Sequence, residues 1–197
     1  MPNIISLMAL FLSWISIIIL LNNRFYLSFS VILIAFIMDA LDGYIARRLK
    51  KDSSFGRQLD GYVDVFVFVI YPALSFYLFF SLRDVVSIII IFIYIAAGVL
   101  RLARFNVTGF ITVQSKEHLS YPGLPVFFNH FTILILLALK WLPVKYFFLI
   151  SCIIILLNSF LMVLKFPFPK PRSIWPFVLL LLLVSCTMFY LEIYANR

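Results

Sequence analysis

Eight acidic residues occur in this 197-residue chain, and four of them, Asp39, Asp42, Asp60 and Asp64, fall in two neighbouring apolar stretches. A carboxylate at the centre of a lipid-spanning helix costs roughly 2.5–3.5 kcal/mol even on mild insertion scales. Four of them need bases or cations to neutralise them. Asp39, Asp42, Gly43 and Ala46 stand at i, i+3, i+4 and i+7, one face of a helix. Gly56, Asp60 and Asp64 stand at i, i+4 and i+8, again one face. The short loop between the stretches makes the two helices antiparallel neighbours. At about 1.5 Å per residue, Asp39 sits about 12 Å from the end marked by Arg47, and Asp64 is at a similar depth from Gly56. The pattern predicts one pocket of four carboxylates, open at the loop end. Oxygen-only clusters suit hard divalent ions such as Mg²⁺, Mn²⁺ or Ca²⁺, and no His or Cys at compatible spacing argues for zinc. Two such ions neutralise four carboxylates, and a pair of them can clamp a pyrophosphate. A salt-bridged or proton-relay cluster in a transporter uses the same residue types. Only Arg47 and Arg57 lie near enough in sequence to pair. Gly43, Ala46 and Gly56 fit two roles, close helix packing or room for a bulky ligand.

The elements that must position these groups are membrane helices. The chain is 64% hydrophobic and 12% charged, against roughly 45–50% and about 25% in soluble domains. The expected fold class is all-α, a polytopic integral membrane helical bundle forming a single domain over residues 1–197. Seven runs approach the roughly 20 apolar residues that cross a bilayer. They are Ile4–Leu21, Phe25–Arg47, Phe55–Phe80, Val85–Phe105, Leu124–Leu139, Val144–Leu164 and Ile174–Tyr194. The first lacks a basic n-region and a cleavage site, so it reads as a retained span rather than a signal peptide. Polar connections are expected at residues 106–123 and 165–172, with Pro125 at a helix start. Cys152 and Cys186 lie inside apolar runs and read as buried small hydrophobes.

The net charge of +8 decorates loop ends rather than forming a basic, aromatic-interleaved surface, which argues against nucleic acid. With the loop after the second run in the cytoplasm, eleven Lys and Arg fall on that side and five on the other. This favours a cytoplasmic N-terminus and an active site facing the cytoplasm. Seven crossings would leave the C-terminus outside.

Asp39-x2-Asp42-Gly43-x2-Ala46-Arg47-x8-Gly56-x3-Asp60-x3-Asp64 matches the signature of the CDP-alcohol phosphotransferase (phosphatidyltransferase) family at every position. Arg101-Leu102-Ala103-Arg104-Phe105-Asn106, Gly123-Leu124-Pro125 and the opening Pro2-Asn3 are similar to the membrane-embedded phosphatidylserine synthases within it. That subgroup commonly has a second proline two residues after Gly-Leu-Pro, where this chain has Phe127, and the departure bears on the acceptor.

The resemblance implies that an alcohol, L-serine by the subgroup, attacks a CDP-linked lipid and that CMP leaves. It implies two divalent cations, Mg²⁺ or Mn²⁺ with Ca²⁺ as a non-productive occupant, held by Asp39, Asp42, Asp60 and Asp64. Asp64 is then also the general base. Gly43, Ala46, Arg47 and Gly56 line the CDP pocket, with Asn3 and Ser6 reaching it from the first span. It further implies a homodimer in the cytoplasmic membrane of a prokaryote. The donor is CDP-diacylglycerol or a diether analogue, and glycerol phosphate and inositol phosphate are alternative acceptors.

Arg101 and Arg104 share a helix face and offer guanidinium forks to a carboxylate or phosphate. They equally fit a positive-inside anchor pair. Asn106, Gly123 and Pro125 complete the expected serine or phosphate site. His118 and His130 read as a loop residue and a helix-facing partner. The rival class, a cation- or proton-coupled transporter, should show internal repeats, and none is visible.

Overall fold

The computed structural model describes residues 2–48, 54–108, 111–112, 119–169 and 175–195. Among the described residues, seven helices follow the seven apolar runs. They are α1 (Pro2–Leu21), α2 (Phe25–Arg48), α3, α4 (Val85–Thr108), α5 (Phe128–Leu139), α6 (Val144–Val163) and α7 (Trp175–Ala195). Helix α3 starts as Ser54–Asp64, widens to a π-helix over Val65–Ile70 and resumes as Tyr71–Leu78. Six of the seven are long and apolar enough to cross a membrane, so this is an integral membrane protein. Large apolar side chains such as Phe11, Phe92 and Phe160 stay exposed on them, as lipid-facing groups do. Asp84 caps α4 by accepting the Ser87 N–H at 3.1 Å. A hydrogen bond from the Ser87 side chain, with that backbone bond beside it, holds the carboxyl below the usual range.

Helix α5 departs from the sequence pattern. It begins at Phe128 rather than Leu124 and has 12 residues, about 18 Å at the α-helical rise, too short to cross alone. The backbone before it is engaged elsewhere. The Gly123 N–H donates to the Phe166 carbonyl at 2.8 Å and that of Leu124 to the Leu161 carbonyl at 3.3 Å. Leu124 also precedes a proline, which disfavours helical backbone.

The expected polar connections contain strands β1 (Ile111–Thr112), β2 (Leu119–Pro122) and β3 (Pro167–Pro169). They form an antiparallel sheet in the order β1-β2-β3, with Ser120 opposite Pro169 and Tyr121 opposite Phe168. The prolines of β3 are tolerated because it is an edge strand. Strands this short leave no period to read. Cys152 is buried as expected, but Cys186 is exposed on α7. An apolar run buries only part of its circumference, and a thiol on the remaining face meets lipid.

The chain divides into two compact units, Met1–Val67 with Pro171–Arg197, and Phe68–Lys170. In the first, serine hydroxyls draw the helices together. Ser16 and Ser28 each donate to the other's carbonyl, at 2.8 and 2.7 Å. Ser185 on α7 donates to the Ser30 carbonyl at 3.1 Å. Lipid supplies no hydrophobic drive between helices, so such polar contacts and close packing carry their association. Glu192 on α7 accepts the Arg24 Nε–H at 2.9 Å and the Leu27 N–H at 3.2 Å, tying α7 to the start of α2.

In the second unit the π-helical turn is held from two sides. The Phe68 carbonyl accepts Asn129 Nδ2 at 2.6 Å and the Tyr94 hydroxyl at 3.3 Å. Asn158 Nδ2 in turn donates to Asn129 Oδ1 at 2.8 Å and to Thr132 Oγ1 at 3.1 Å. On the other side, a Cβ at Gly98 would lie 2.8 Å from Val69 Cγ2. A β-branched side chain has little rotamer freedom to yield. Gly98→Ala is therefore expected to destabilise by about 1–3 kcal/mol, read as a lower thermal midpoint in detergent. Adding Val69→Ala should recover part of the loss.

Candidate active site

Helix α2 presents Asp39 and Asp42 one turn apart, and the first turns of α3 present Asp60 and Asp64. One carboxylate oxygen from each of Asp39, Asp60 and Asp64 lies within 4.8 Å of the other two. The spacing thus brings together three of the four expected carboxylates. The fourth, Asp42, is 5% exposed, and its Oδ2 accepts the hydroxyl of Ser6 on α1. Helix α1 packs along α2 and reaches the acidic part of α3, so three helices of the first unit build the site.

The arrangement fits divalent cations. The donors are all carboxylate oxygens, the chemistry Mg²⁺ and Mn²⁺ favour. Asp39 Oδ1 and Asp42 Oδ1 are buried and have no hydrogen-bond partner among the described residues. A buried oxygen left in that state costs about 1–3 kcal/mol or more, and a coordinated cation removes the cost. Close carboxylates also repel one another in low dielectric, and a positive charge among them reverses that.

The other expected residues divide by unit. Gly43 on α2 and Gly56 on α3 are partly buried. Asn3 on α1 and Ala46 and Arg47 on α2 belong to the described helices, but their side chains lie outside the described set. In the second unit, Arg101 is buried, and its Nε donates to the Leu124 carbonyl at 3.2 Å. Its guanidinium lies 5.1 Å from the centre of the Phe105 ring and 5.8 Å from that of Tyr121. Arg104 is partly buried, Asn106 is exposed, and Gly123 and Pro125 are buried at the turn before α5. His118 lies outside the described residues. His130 packs against the Phe68 and Tyr71 rings, at 5.5 and 6.3 Å, the helix-facing role its sequence context suggests.

Glu192, Asn129 and Asn158 were not marked by any motif. Their one signal is a strongly polar side chain inside an apolar run, which must find a partner there.

The family profile for CDP-alcohol phosphatidyltransferase matches residues 1–190. The chain belongs to this family. The match reaches into α7, well past the segments that carry the recognisable motifs. A CDP-diacylglycerol–serine O-phosphatidyltransferase of Methanocaldococcus jannaschii is 34% identical over 155 residues, which is 77% of this chain and 68% of that one. The Helicobacter pylori (strain 26695) protein of the same name is 28% identical over 126 residues, 64% of this chain and 52% of its own length. An archaetidylserine synthase of Methanothermobacter thermautotrophicus is 27% identical over 128 residues, again 64% of this chain and 52% of that one. The chain thus spans about half the length of the latter two relatives. The family expected from the aspartate signature is the family found.

Proposed function

We propose that this chain transfers the phosphatidyl group of CDP-diacylglycerol to L-serine, giving phosphatidylserine and CMP. The observation that carries the reading is the convergence of the Asp39, Asp60 and Asp64 oxygens within 4.8 Å on the signature positions of the family. The names of the relatives support serine as acceptor, and the archaetidylserine synthase supports a diether donor as a second reading.

Asp39, Asp42, Asp60 and Asp64 hold two divalent cations, Mg²⁺ or Mn²⁺. Bound there, the ions supply charge neutralisation for the pyrophosphate and for the departing CMP. Gly43, Ala46, Arg47 and Gly56, with Asn3, line the CDP moiety, the small residues letting backbone approach it. Asp64 takes the proton of the serine hydroxyl. The freed oxygen forms a bond to the β-phosphorus as the bond from that phosphorus to the CMP oxygen breaks. A hydroxyl is a poor nucleophile until a positioned base removes its proton.

The enzyme works as one domain and as a homodimer in the cytoplasmic membrane of a prokaryote. Its carboxylates face the cytoplasm, the side favoured by the loop charges.

The acceptor's anionic group falls to Arg104, and Asn106 on the same helix completes the acceptor site. Arg101 instead holds the turn of Gly123 and Pro125 through the Leu124 carbonyl. Arg104→Ala is expected to raise the serine KM by roughly tenfold or more, the loss of a charge-assisted hydrogen bond of about 1.5–3 kcal/mol. Arg101→Ala should mainly lower the thermal midpoint. An unchanged serine KM in Arg104→Ala would sink this assignment, whatever Arg101→Ala does.

The overall reading is tested by CMP release from CDP-diacylglycerol in detergent with Mg²⁺ or Mn²⁺. Serine, glycerol phosphate and inositol phosphate are offered in turn. Release with serine alone is the expected result. Release with another acceptor moves the chain within the family, and no release with any acceptor favours the transporter.

A further inference from the structure

We infer that Ser6 is a positioning residue for the metal site, orienting Asp42 rather than binding the nucleotide. Ser6 is 2% exposed and Asp42 is 5% exposed, and the Ser6 hydroxyl donates to Asp42 Oδ2 from a different helix. The other oxygen of that carboxylate, Oδ1, is buried with no hydrogen-bond partner among the described residues. The two oxygens are thus differentiated, one fixed by α1 and one left for a cation. A carboxylate pivots broadly about its last torsion, so a hydrogen bond to one oxygen sets where the other points. Outer partners of this kind govern metal affinity in many sites.

The neighbouring serines of α1 behave differently. Ser13 donates to the Leu10 carbonyl and Ser16 to the Ser28 carbonyl. Both donate to backbone carbonyls, whereas the Ser6 hydroxyl donates to an acidic side chain. A serine hydroxyl has a single proton to donate, so in this arrangement Ser6 has none to offer a nucleotide phosphate. Helix α1 carries no acidic residue, and through this bond it reaches the carboxylate set.

The inference rests on the reading that the carboxylates hold divalent cations, but not on serine being the acceptor. The test is Mn²⁺ binding to detergent-purified protein without lipid or serine, read from the free-ion electron paramagnetic resonance signal. Ser6→Ala is expected to weaken Mn²⁺ binding by about tenfold, the lower end of the range for such partners. Ser6→Thr, which keeps the hydroxyl, should stay close to wild type. At saturating Mn²⁺ the KM for CDP-diacylglycerol should remain within about twofold in both variants. Should Ser6→Ala not fold, Ser6→Cys, similar in size with a weak donor, is expected to show the same loss. Unchanged Mn²⁺ affinity in the folded alanine or cysteine variant overturns the inference. So does a raised CDP-diacylglycerol KM at saturating Mn²⁺ with affinity intact, because that marks a nucleotide contact. A wild-type chain that binds no Mn²⁺ overturns the metal reading and this inference together, whatever the acceptor screen finds.

Discussion

Asp64→Asn is expected to reduce CMP release by about a thousandfold or more while binding of the CDP-lipid stays within a few-fold of wild type. The amide keeps the size and shape of the side chain but cannot take a proton. Positioned general bases contribute roughly 10²–10⁴ in rate. The change also removes one negative charge from a set of oxygens lying within 4.8 Å of one another. Some cation affinity should go with it, so the rate is measured at saturating Mn²⁺. Asp39→Asn supplies the contrast. Asp39 Oδ1 is buried without a hydrogen-bond partner among the described residues, which suits a ligand more than a base. Its variant should lose Mn²⁺ binding first and recover part of its activity as Mn²⁺ is raised. If Asp64→Asn turns over at a near-normal rate, the proton goes elsewhere and the division of roles is wrong.

The acidic site was legible because its information is local. Asp39 and Asp42 lie on one helix, Asp60 and Asp64 on the next, and helical periodicity with a short connection brings them together. The part of the site that was not legible depends on a contact between helices distant in sequence. Ser6 and Asp42 are 36 residues apart, and no periodicity in either helix says that their faces meet. The helices themselves were readable from apolar run length alone, which is why α1, α2, α4, α6 and α7 begin and end close to where composition changes. The start of α5 was not. Leu124 and Val126 look like the opening of an apolar run, but carbonyls of α6 and of the segment after it take the backbone donors of Gly123 and Leu124. The π-helical turn was invisible for a similar reason. Its Phe68 carbonyl is satisfied by Tyr94 and Asn129, side chains of two other helices. In a membrane protein, apolar composition marks where helices run. The sparse polar residues within them record how they meet, and those partners have to be seen in three dimensions.

Gly123→Ala is the second large effect expected, and it falls on stability. The sequence motif suggests an acceptor-binding glycine, but the backbone there imposes its own demand. Gly123 has φ of +88°, where L-residues other than glycine are strained by roughly 1–2 kcal/mol. A methyl group would also overlap the Leu164 carbonyl oxygen and approach that of Met162 to 3.3 Å. These are backbone atoms at the end of α6, so the clash cannot be relieved by turning a side chain. Relief requires moving β2 away from α6, which breaks the bond from the Gly123 N–H to Phe166 and disturbs the pairing of β2 with β3. The combined loss should be on the order of 4 kcal/mol, in the range reserved for backbone strain and steric overlap in packed regions. A fall in thermal midpoint of the detergent-solubilised protein, followed by fluorescence-detected size exclusion, checks it. Arg101→Ala releases the same turn from the other side by removing the donor to Leu124, and it should destabilise by less, because it brings neither backbone strain nor steric overlap. A Gly123→Ala protein with an unchanged midpoint and a raised serine KM would show instead that the glycine is kept for the acceptor.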